Sequence, residues 1–442
     1  MNWSALLDPG RLGCPNVNAG DTAGRTEFER DFDRVLFCSA FRRLQSKTQV
    51  FPFPATAMIH TRMTHSLEAS SVGRSLGTLV GSRLDMADVD ARDIGAIVSA
   101  ACLAHDIGNP PFSHSGEKAI TEFFEGEKGQ LFLDELDDDQ KADFTRFDGN
   151  AMGFRILTYS NPKLTRATGG LGLTYPTLAA FTKYPCSASA AQATVKSVSR
   201  KKAGLLSSSV SSYREIAEKL QLAVKKSSVA WARHPLAFLT EAADDICYTI
   251  IDLEDGYRHG LVDHETTYRL LNTVALARMT SDDRKHLDNV LDERNRIGYL
   301  RSKAINSLVV QVVDMFMERH AEIINGEYES SITRGIESDE VLEEIRSISR
   351  EQIYSDRTIL QIEAAGFRVL PGLLNAFLSA LKSPGKSSSD KVLSLIPKEY
   401  IWKFSENPYE AIMSITTYVA GMTDTFAVDL YRNLQGVQLP NY

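Results

Sequence analysis

The stretch from Ala96 to Glu117, AIVSAACLAHDIGNPPFSHSGE, constrains this chain more than any other. An apolar run at helical spacing ends in the adjacent pair His105-Asp106. A Gly-Asn-Pro-Pro turn follows, and then His114 and Glu117. Two metal-type ligands therefore sit at the end of a buried helix. An acid/base pair stands a few residues later, at i and i+3, on one face of the next helix.

The rest of the chain supplies scaffold and further ligands. Thr26–Leu44 is rich in Arg and Phe, with Phe28, Phe32, Val35 and Leu36 at helical spacing. Gln45–Pro54 cannot continue a helix through two prolines and reads as an extended loop or hairpin. His65–Leu84 is expected as a helix with Leu67, Val72, Leu76, Leu79 and Val80 on one face, and Asp93 as the cap of a helix over Ile94–Ala104. Residues 122–148, with DELDDDQ, read as a polar surface excursion, and Asn150–Leu157 as a helix. Residues 168–184 read as a turn and a helix ending in Lys183-Tyr184-Pro185, and the Ser-, Ala- and Lys-rich residues 186–212 as a mobile loop. Helical patterns then cover 213–224, 235–258, 263–277, 281–292, 296–325, 336–348, 356–363, 367–382 and 407–434, with a loop near 383–398. Residues 1–25 look irregular, strand signals are few and short, and no internal repeat is visible, so the class is mostly α.

Composition narrows the function. With 43% apolar and 24% charged residues among 442, the chain can bury a large core. A net charge of −8 argues against a nonspecific nucleic-acid coat but allows a local basic pocket. Five scattered cysteines without a CxxC pair suit reduced thiols and a cytoplasmic protein. No run reaches the ~18 uninterrupted apolar residues of a membrane helix, and the N-terminus lacks a basic region followed by an apolar one. No membrane partner is therefore expected.

His65, in TRMTHSLEAS, and Asp244, in EAADDICYTIIDLEDGY, extend the His105-Asp106 pair. Asp244, Tyr248 and Asp252 fall at i, i+4 and i+8 on one helical face, with Asp245 turned away. Two imidazoles and two carboxylates suit Mn²⁺, Fe²⁺, Co²⁺, Ni²⁺ or Zn²⁺, and Mg²⁺ less well. An adjacent His-Asp alone is weak, and Asp244-Asp245 could be a solvated helix face. Asp244 nevertheless lies among Leu236, Phe238, Leu239, Ile246 and Ile250, where an unpaired carboxylate is costly.

The order H…HD…D resembles the HD superfamily of metal-dependent phosphohydrolases. AFRRLQSKTQVF, TRMTHS, HDIGNPPFSHSGE, KYP and EAADDICY run in order over residues 40–260 and resemble the dGTPase-like branch, the deoxynucleoside triphosphate triphosphohydrolases. DRTILQIEAAGFRVL and AGMTDTFAVDLYR extend the likeness toward the C-terminus. The resemblance implies an all-α, HD-domain helical phosphohydrolase fold with additional C-terminal helices and few short strands. It implies an N-terminal segment, 1–60, packed on a catalytic core, 61–260, and a C-terminal helical region, 261–442, that completes the site and subunit contacts. It implies hydrolysis of a dNTP, often dGTP, to deoxynucleoside and inorganic tripolyphosphate.

By position, the resemblance makes His65, His105, Asp106 and Asp244 ligands of a divalent ion (Mn, Mg, Co, Ni or Fe), and His114 with Glu117 the catalytic pair. Gln49 and Val50 would lie against the deoxyribose, and Arg62, Lys183, Tyr184, Lys202, Tyr248 and Asp252 would line the triphosphate and sugar pocket. It also implies a homo-oligomer, hexamer or dimer, and a nucleotide or single-stranded DNA effector. The chain departs from the family at Leu205 and Leu206, where aromatic residues are usual, and this bears on the base-facing side.

The residues suit that chemistry. Glu117 can orient and charge-stabilise His114 as general acid/base at the scissile P–O bond. Arg62, Lys183 and Lys202 can offset a triphosphate's charge, Lys201 being a rival for Lys202. Of Arg42 and Arg43, which point in different directions, one could reach the site and the other a subunit contact. Asp252 could accept the sugar 3′-hydroxyl, and Tyr248 could exclude a ribose 2′-hydroxyl. Two alternatives stand beside this reading. One is an HD phosphodiesterase or phosphatase on another nucleotide, and the other is a nucleotide- or single-stranded-DNA-responsive regulator.

Overall fold

The computed structural model describes residues 1–14, 24–50, 60–84, 86, 89–191, 197–225 and 229–437. Among these the protein is all-α: helices connected by turns, with isolated bridges such as Thr48–Thr61 and Cys186–Ala230 where short strands were expected.

Two helices form the floor of the site, Arg62–Leu84 and Ala91–Ala104. Their faces are built from small residues. A Cβ on Gly77 would come within 2.7 Å of the Ile94 carbonyl oxygen, and one on Gly95 within 2.3 Å of Thr78 Oγ1. This close approach corrects the expected apolar stripe. Val72, Leu76 and Val80 are buried as anticipated, but Leu67 and Leu79 are exposed, and Ala69, Gly73 and Gly77 take their place. Asp90, not Asp93, caps the second helix, its carboxylate accepting the Arg92 amide at 2.8 Å. Across both lies Pro235–Arg258, which carries Asp244. Pro235 opens it, where a missing N–H costs nothing, and the His234 ring caps it through the Leu236 amide. These helices, Glu27–Phe37, Tyr175–Phe181, His264–Leu276 and Glu293–Glu318 share one hydrophobic core. The N-terminus joins it through Trp3 and Leu6 of a short Trp3–Leu6 helix.

A second core lies on the other side of the site. Its members are Ser113–Glu125, Arg357–Lys382, Pro408–Ala420 and Asp424–Leu434. The 122–148 stretch belongs to it and is not a surface excursion. It forms helices Glu127–Leu133 and Asp138–Thr145, which bury Phe132, Leu133 and Phe144. Its acidic residues cluster at the junction of these helices and in the first turn of the second, where Asp137 and Gln140 make a capping box.

Other boundaries shifted for local reasons. Arg357–Lys382 is continuous, although Gly366 suggested a break; that glycine is there because Phe112 packs on it, 3.0 Å from a would-be Cβ. The pattern over 407–434 divides at Gly421, and Thr423 caps the second helix. Residues 296–325 divide at Arg319, and 383–398 contains the helix Ser387–Leu393. Within 186–212, the described residues are packed rather than free: Leu205 and Leu206 are buried, and Cys186 O accepts the Gly204 and Leu205 amides. Residues 192–196, and 51–54 of the expected hairpin, lie outside the described residues. Arg357–Lys382 is long and apolar enough to cross a membrane by length and composition, a case the uninterrupted-run criterion misses. Its apolar residues Leu370, Leu373, Leu374 and Phe377 form the middle of the second core.

Candidate active site

The two cores meet at a cavity of about 460 Å³. All fourteen residues assigned from the sequence border it: Gln49, Val50, Arg62, His65, His105, Asp106, His114, Glu117, Lys183, Tyr184, Lys202, Asp244, Tyr248 and Asp252. Arg42 and Arg43 do not. Arg42 is exposed beside Phe37, and Arg43 borders two smaller clefts elsewhere.

At the cavity floor, ligand atoms of His65, His105 and Asp244 lie within 4.8 Å of one another. His65 Nε2 is 3.1 Å, and His105 Nε2 3.4 Å, from Asp244 Oδ1. His105 Nδ1 is 2.6 Å from the Cys102 carbonyl oxygen, which can only accept, so this nitrogen carries the proton. That leaves His105 Nε2 bare, buried and without a hydrogen-bond partner, facing carboxylate oxygens of Asp244 and, at 3.5 Å, Asp106. Lone pairs facing lone pairs ask for a cation between them. The electrostatics agree: burial disfavours a charged His105, yet Asp106 and Asp244 outweigh it and raise its pKa. The residues present thus fit a divalent ion.

Asp106 stands slightly apart from this trio. Arg62 Nη1 donates to its Oδ2 and Asn109 Nδ2 to its Oδ1, each at 2.6 Å. Burial would raise its pKa, but Arg62 prevails and holds it at about 2. Arg62 was expected to face the triphosphate; here it first neutralises Asp106. Lys183 behaves alike, its Nζ donating to Asp244 Oδ2 at 2.5 Å. Burial notwithstanding, Lys183 and His105 keep Asp244 well below the usual carboxylate range.

The second cluster lies on Ser113–Glu125. His114 Nδ1 is 3.0 Å from Glu117 Oε2, and Glu117 Oε1 accepts the Gly149 amide at 2.7 Å. Burial raises the Glu117 pKa, but the His114 hydrogen bond and the Lys202 charge bring it below the ordinary value. Ionised, Glu117 only accepts, so His114 Nδ1 donates and Nε2 is left to exchange a proton. The His114 ring is exposed to the cavity, whereas Glu117 is largely buried. Phe112 and Ser113, just before His114, have φ of 64° and 57°, a pair of left-handed non-glycine residues. Such backbone costs about 1–2 kcal/mol per residue.

Another part of the cavity holds Tyr248, Asp252 and a residue missed in the sequence, Tyr354. Tyr354 stacks on Tyr248 with ring centroids 6.3 Å apart and donates its hydroxyl to Asp252 at 2.7 Å. Burial pushes the Asp252 pKa up to about 7. Asp245 also borders the cavity, contrary to expectation, with Thr333 Oγ1 donating to its Oδ2 at 2.8 Å.

Asn109, Glu363 and Asp424 were missed as well. Asn109 lies inside the best motif, so its position was a usable signal. Tyr354, Glu363 and Asp424 sit in the C-terminal third, where each is an ordinary helical residue until the fold is known. Leu205 and Leu206, the departures from the family pattern, are buried and do not border the cavity.

A family profile described as phosphohydrolase-associated domain matches residues 335–433. Similar curated proteins include a deoxyguanosinetriphosphate triphosphohydrolase-like protein from Synechocystis, 38% identical over 99% of this chain and 100% of that protein. A protein of the same name from Pseudomonas aeruginosa is 37% identical over the full length of both. The deoxyguanosinetriphosphate triphosphohydrolase of Salmonella typhimurium is 28% identical over 93% of this chain and 94% of that protein.

Proposed function

The chain belongs to the dGTPase-like family of HD-domain hydrolases, and from that membership we propose that it hydrolyses deoxynucleoside triphosphates, dGTP in preference, to deoxynucleoside and tripolyphosphate. The observation that carries the reading is the bare His105 Nε2 converging with His65 Nε2 on Asp244, in the cavity that also holds the His114–Glu117 pair.

His65, His105 and Asp244, with Asp106 beside them, would hold a divalent ion such as Mn²⁺, Fe²⁺, Co²⁺, Ni²⁺ or Mg²⁺. When bound, that ion supplies a Lewis acid for phosphate oxygens. The chain's own groups do the rest. His114 Nε2 moves a proton at the bond between the α-phosphorus and the 5′ oxygen, with Glu117 fixing the ring and stabilising its charged form. Lys183, Lys202 and Arg62 offset the triphosphate's charge. Lys183 and Arg62 do so while also paired with Asp244 and Asp106, so substrate and ion share these cations. Tyr248 and Tyr354 wall the sugar, and ionised Asp252 accepts its 3′-hydroxyl.

The guanine preference is supported by Glu363. Its half-buried carboxylate borders the cavity beside Ile359 and Ile362 and has no partner among the described residues. A carboxylate only accepts, and the Watson–Crick edge of guanine offers two donors, N1–H and the 2-amino group. Glu363→Gln should therefore lower kcat/KM for dGTP about tenfold relative to dATP. An unchanged ratio removes this part of the reading.

Metal-loaded protein incubated with each dNTP and with GTP, followed by phosphorus NMR, tests the whole. Tripolyphosphate plus deoxynucleoside is the expected product. Pyrophosphate plus monophosphate would move the cut to another bond, and no product from any dNTP would leave only the regulator and phosphodiesterase readings. Assembly as a hexamer or dimer, and response to a nucleotide or single-stranded DNA, belong to the same proposal. Mass photometry and assays with added effectors check them.

A further inference from the structure

The C-terminal region touches the catalytic turn through one buried carboxylate. Asp424 is 3% exposed. Its Oδ1 accepts the Phe112 amide at 3.1 Å, and its Oδ2 accepts the Thr48 amide at 2.9 Å. These amides belong to segments 312 and 376 residues away. Phe112 immediately precedes the Ser113–Glu125 helix of His114, and Thr48 immediately precedes Gln49 and Val50. A parallel tie runs alongside. Lys47 is buried, and its Nζ donates to the Asn109 carbonyl at 2.6 Å and to the Ala420 carbonyl at 2.8 Å. The two segments are also tied to each other, Ser113 Oγ donating to the Thr48 carbonyl at 3.4 Å.

A capping role does not account for Asp424. Thr423 caps the helix that Asp424 begins, its hydroxyl accepting the Phe426 amide. Nor is Asp424 in a salt bridge among the described residues. A buried carboxylate that does not cap its own helix, and whose nearest cationic influence is the buried Lys47 beyond salt-bridge distance, is costly to keep. It sits where help is needed: Phe112 and Ser113 are both left-handed, and the Ser113–Glu125 helix has no side-chain cap. Backbone of this kind persists only where its surroundings over-determine it.

We propose that Asp424, braced by Lys47, is a positioning residue for the reaction: it ties the strained Phe112–Ser113 turn to the Thr48 segment, and so fixes the height of His114 in the cavity. The inference rests on the triphosphohydrolase reading above. It assigns the phosphohydrolase-associated segment, residues 335–433, a direct part in aligning the catalytic pair.

Asp424→Asn tests it, because the amide keeps the shape but offers one acceptor oxygen for two amides. The expected result is a 10- to 100-fold fall in kcat for dGTP. Metal content and the Kd of a non-hydrolysable dNTP analogue should stay within threefold. In a His114→Ala background the same substitution should cost less than threefold, because the group it positions is gone. Deuterium exchange should quicken at residues 46–50 and 110–117 and stay unchanged elsewhere. Equal losses in both backgrounds, unchanged exchange at those segments, or a fall in nucleotide or metal binding matching the fall in kcat would overturn the inference. Should Asp424→Asn not fold, Lys47→Gln is read against the same criteria. If the wild type cleaves no dNTP, the proposed function fails; if it is active and Asp424→Asn matches it, only this inference fails.

Discussion

At the scale of single residues, three carboxyl groups in and beside one site differ widely in acidity. Asp106 is ionised down to about pH 2 because Arg62 outweighs its burial. Asp148, behind Glu117, is pushed up to about 6 by burial and by the Glu117 charge. Asp252 is pushed up to about 7 by burial, although the Tyr354 bond lowers it. Ionised Asp252 accepts a sugar hydroxyl more strongly than the neutral acid does. KM for dGTP should therefore fall as pH rises from 6 to 8, and Asp252→Asn should flatten that limb of the profile. The same raised pKa acts on stability in the opposite sense. The folded form binds the extra proton between the ordinary 3.8 and about 7, so stability declines as pH rises through that window. Arg62→Met makes a second test. It strands Asp106 in a buried setting, and breaking such a pair costs about 3–5 kcal/mol; thermal unfolding of the metal-free protein should show it. The fourteen residues assigned from the sequence all border the cavity, and most of them, Lys202 excepted, sit in dense local motifs of chemically unusual neighbours. Glu363, Tyr354 and Asp424 were not legible, since a lone Glu, Tyr or Asp on a C-terminal helix looks the same whether it faces water or a nucleotide.

Elements show why motif glycines and hinge histidines matter. Gly108, in the His-Asp-Ile-Gly-Asn turn, is where Gly149–Thr158 crosses: a Cβ there would stand 2.1 Å from the Gly149 carbonyl oxygen and 2.2 Å from the Gly153 nitrogen. Gly108→Ala should destabilise the protein by about 1–3 kcal/mol, as overpacking generally does, and lower kcat with it. Chemical denaturation and single-turnover assays would separate the two effects. His60 ties the start of the Arg62–Leu84 helix to the Asp244 helix, with Nδ1 2.6 Å from Asp255 and Nε2 3.5 Å from Glu68. Those two carboxylates raise its pKa to about 10 from 6.5. Its contribution is therefore complete below pH 6.5 and lost as pH climbs to about 10. The gap in urea midpoint between wild type and His60→Gln should be widest near pH 6 and close above pH 10. Helix existence was readable from periodicity, and Pro235–Arg258 matched to the residue. Ends and breaks were not, because Asp90, Thr423 and Gly366 act through neighbours that the local pattern does not contain.

The whole molecule is two hydrophobic cores with the chemistry at their seam. His65, His105 and Asp244, the proposed ion ligands, stand on helices of the first core or at their ends, while the His114 helix, Glu363 and Asp424 stand on the second. The all-α class was evident from the scarcity of strand signals. The partition into two cores was not, because the acidic stretch over 122–148 hid two short helices and the C-terminal helices fold back onto this part of the chain. A seam of this kind gives the protein two separate ways to fail on heating. Melting of the second core would take away the proposed proton-transfer pair and base contact and leave His65, His105 and Asp244 in place. Warming should thus produce a silent form that still carries its ion, with turnover vanishing some degrees before the metal is shed.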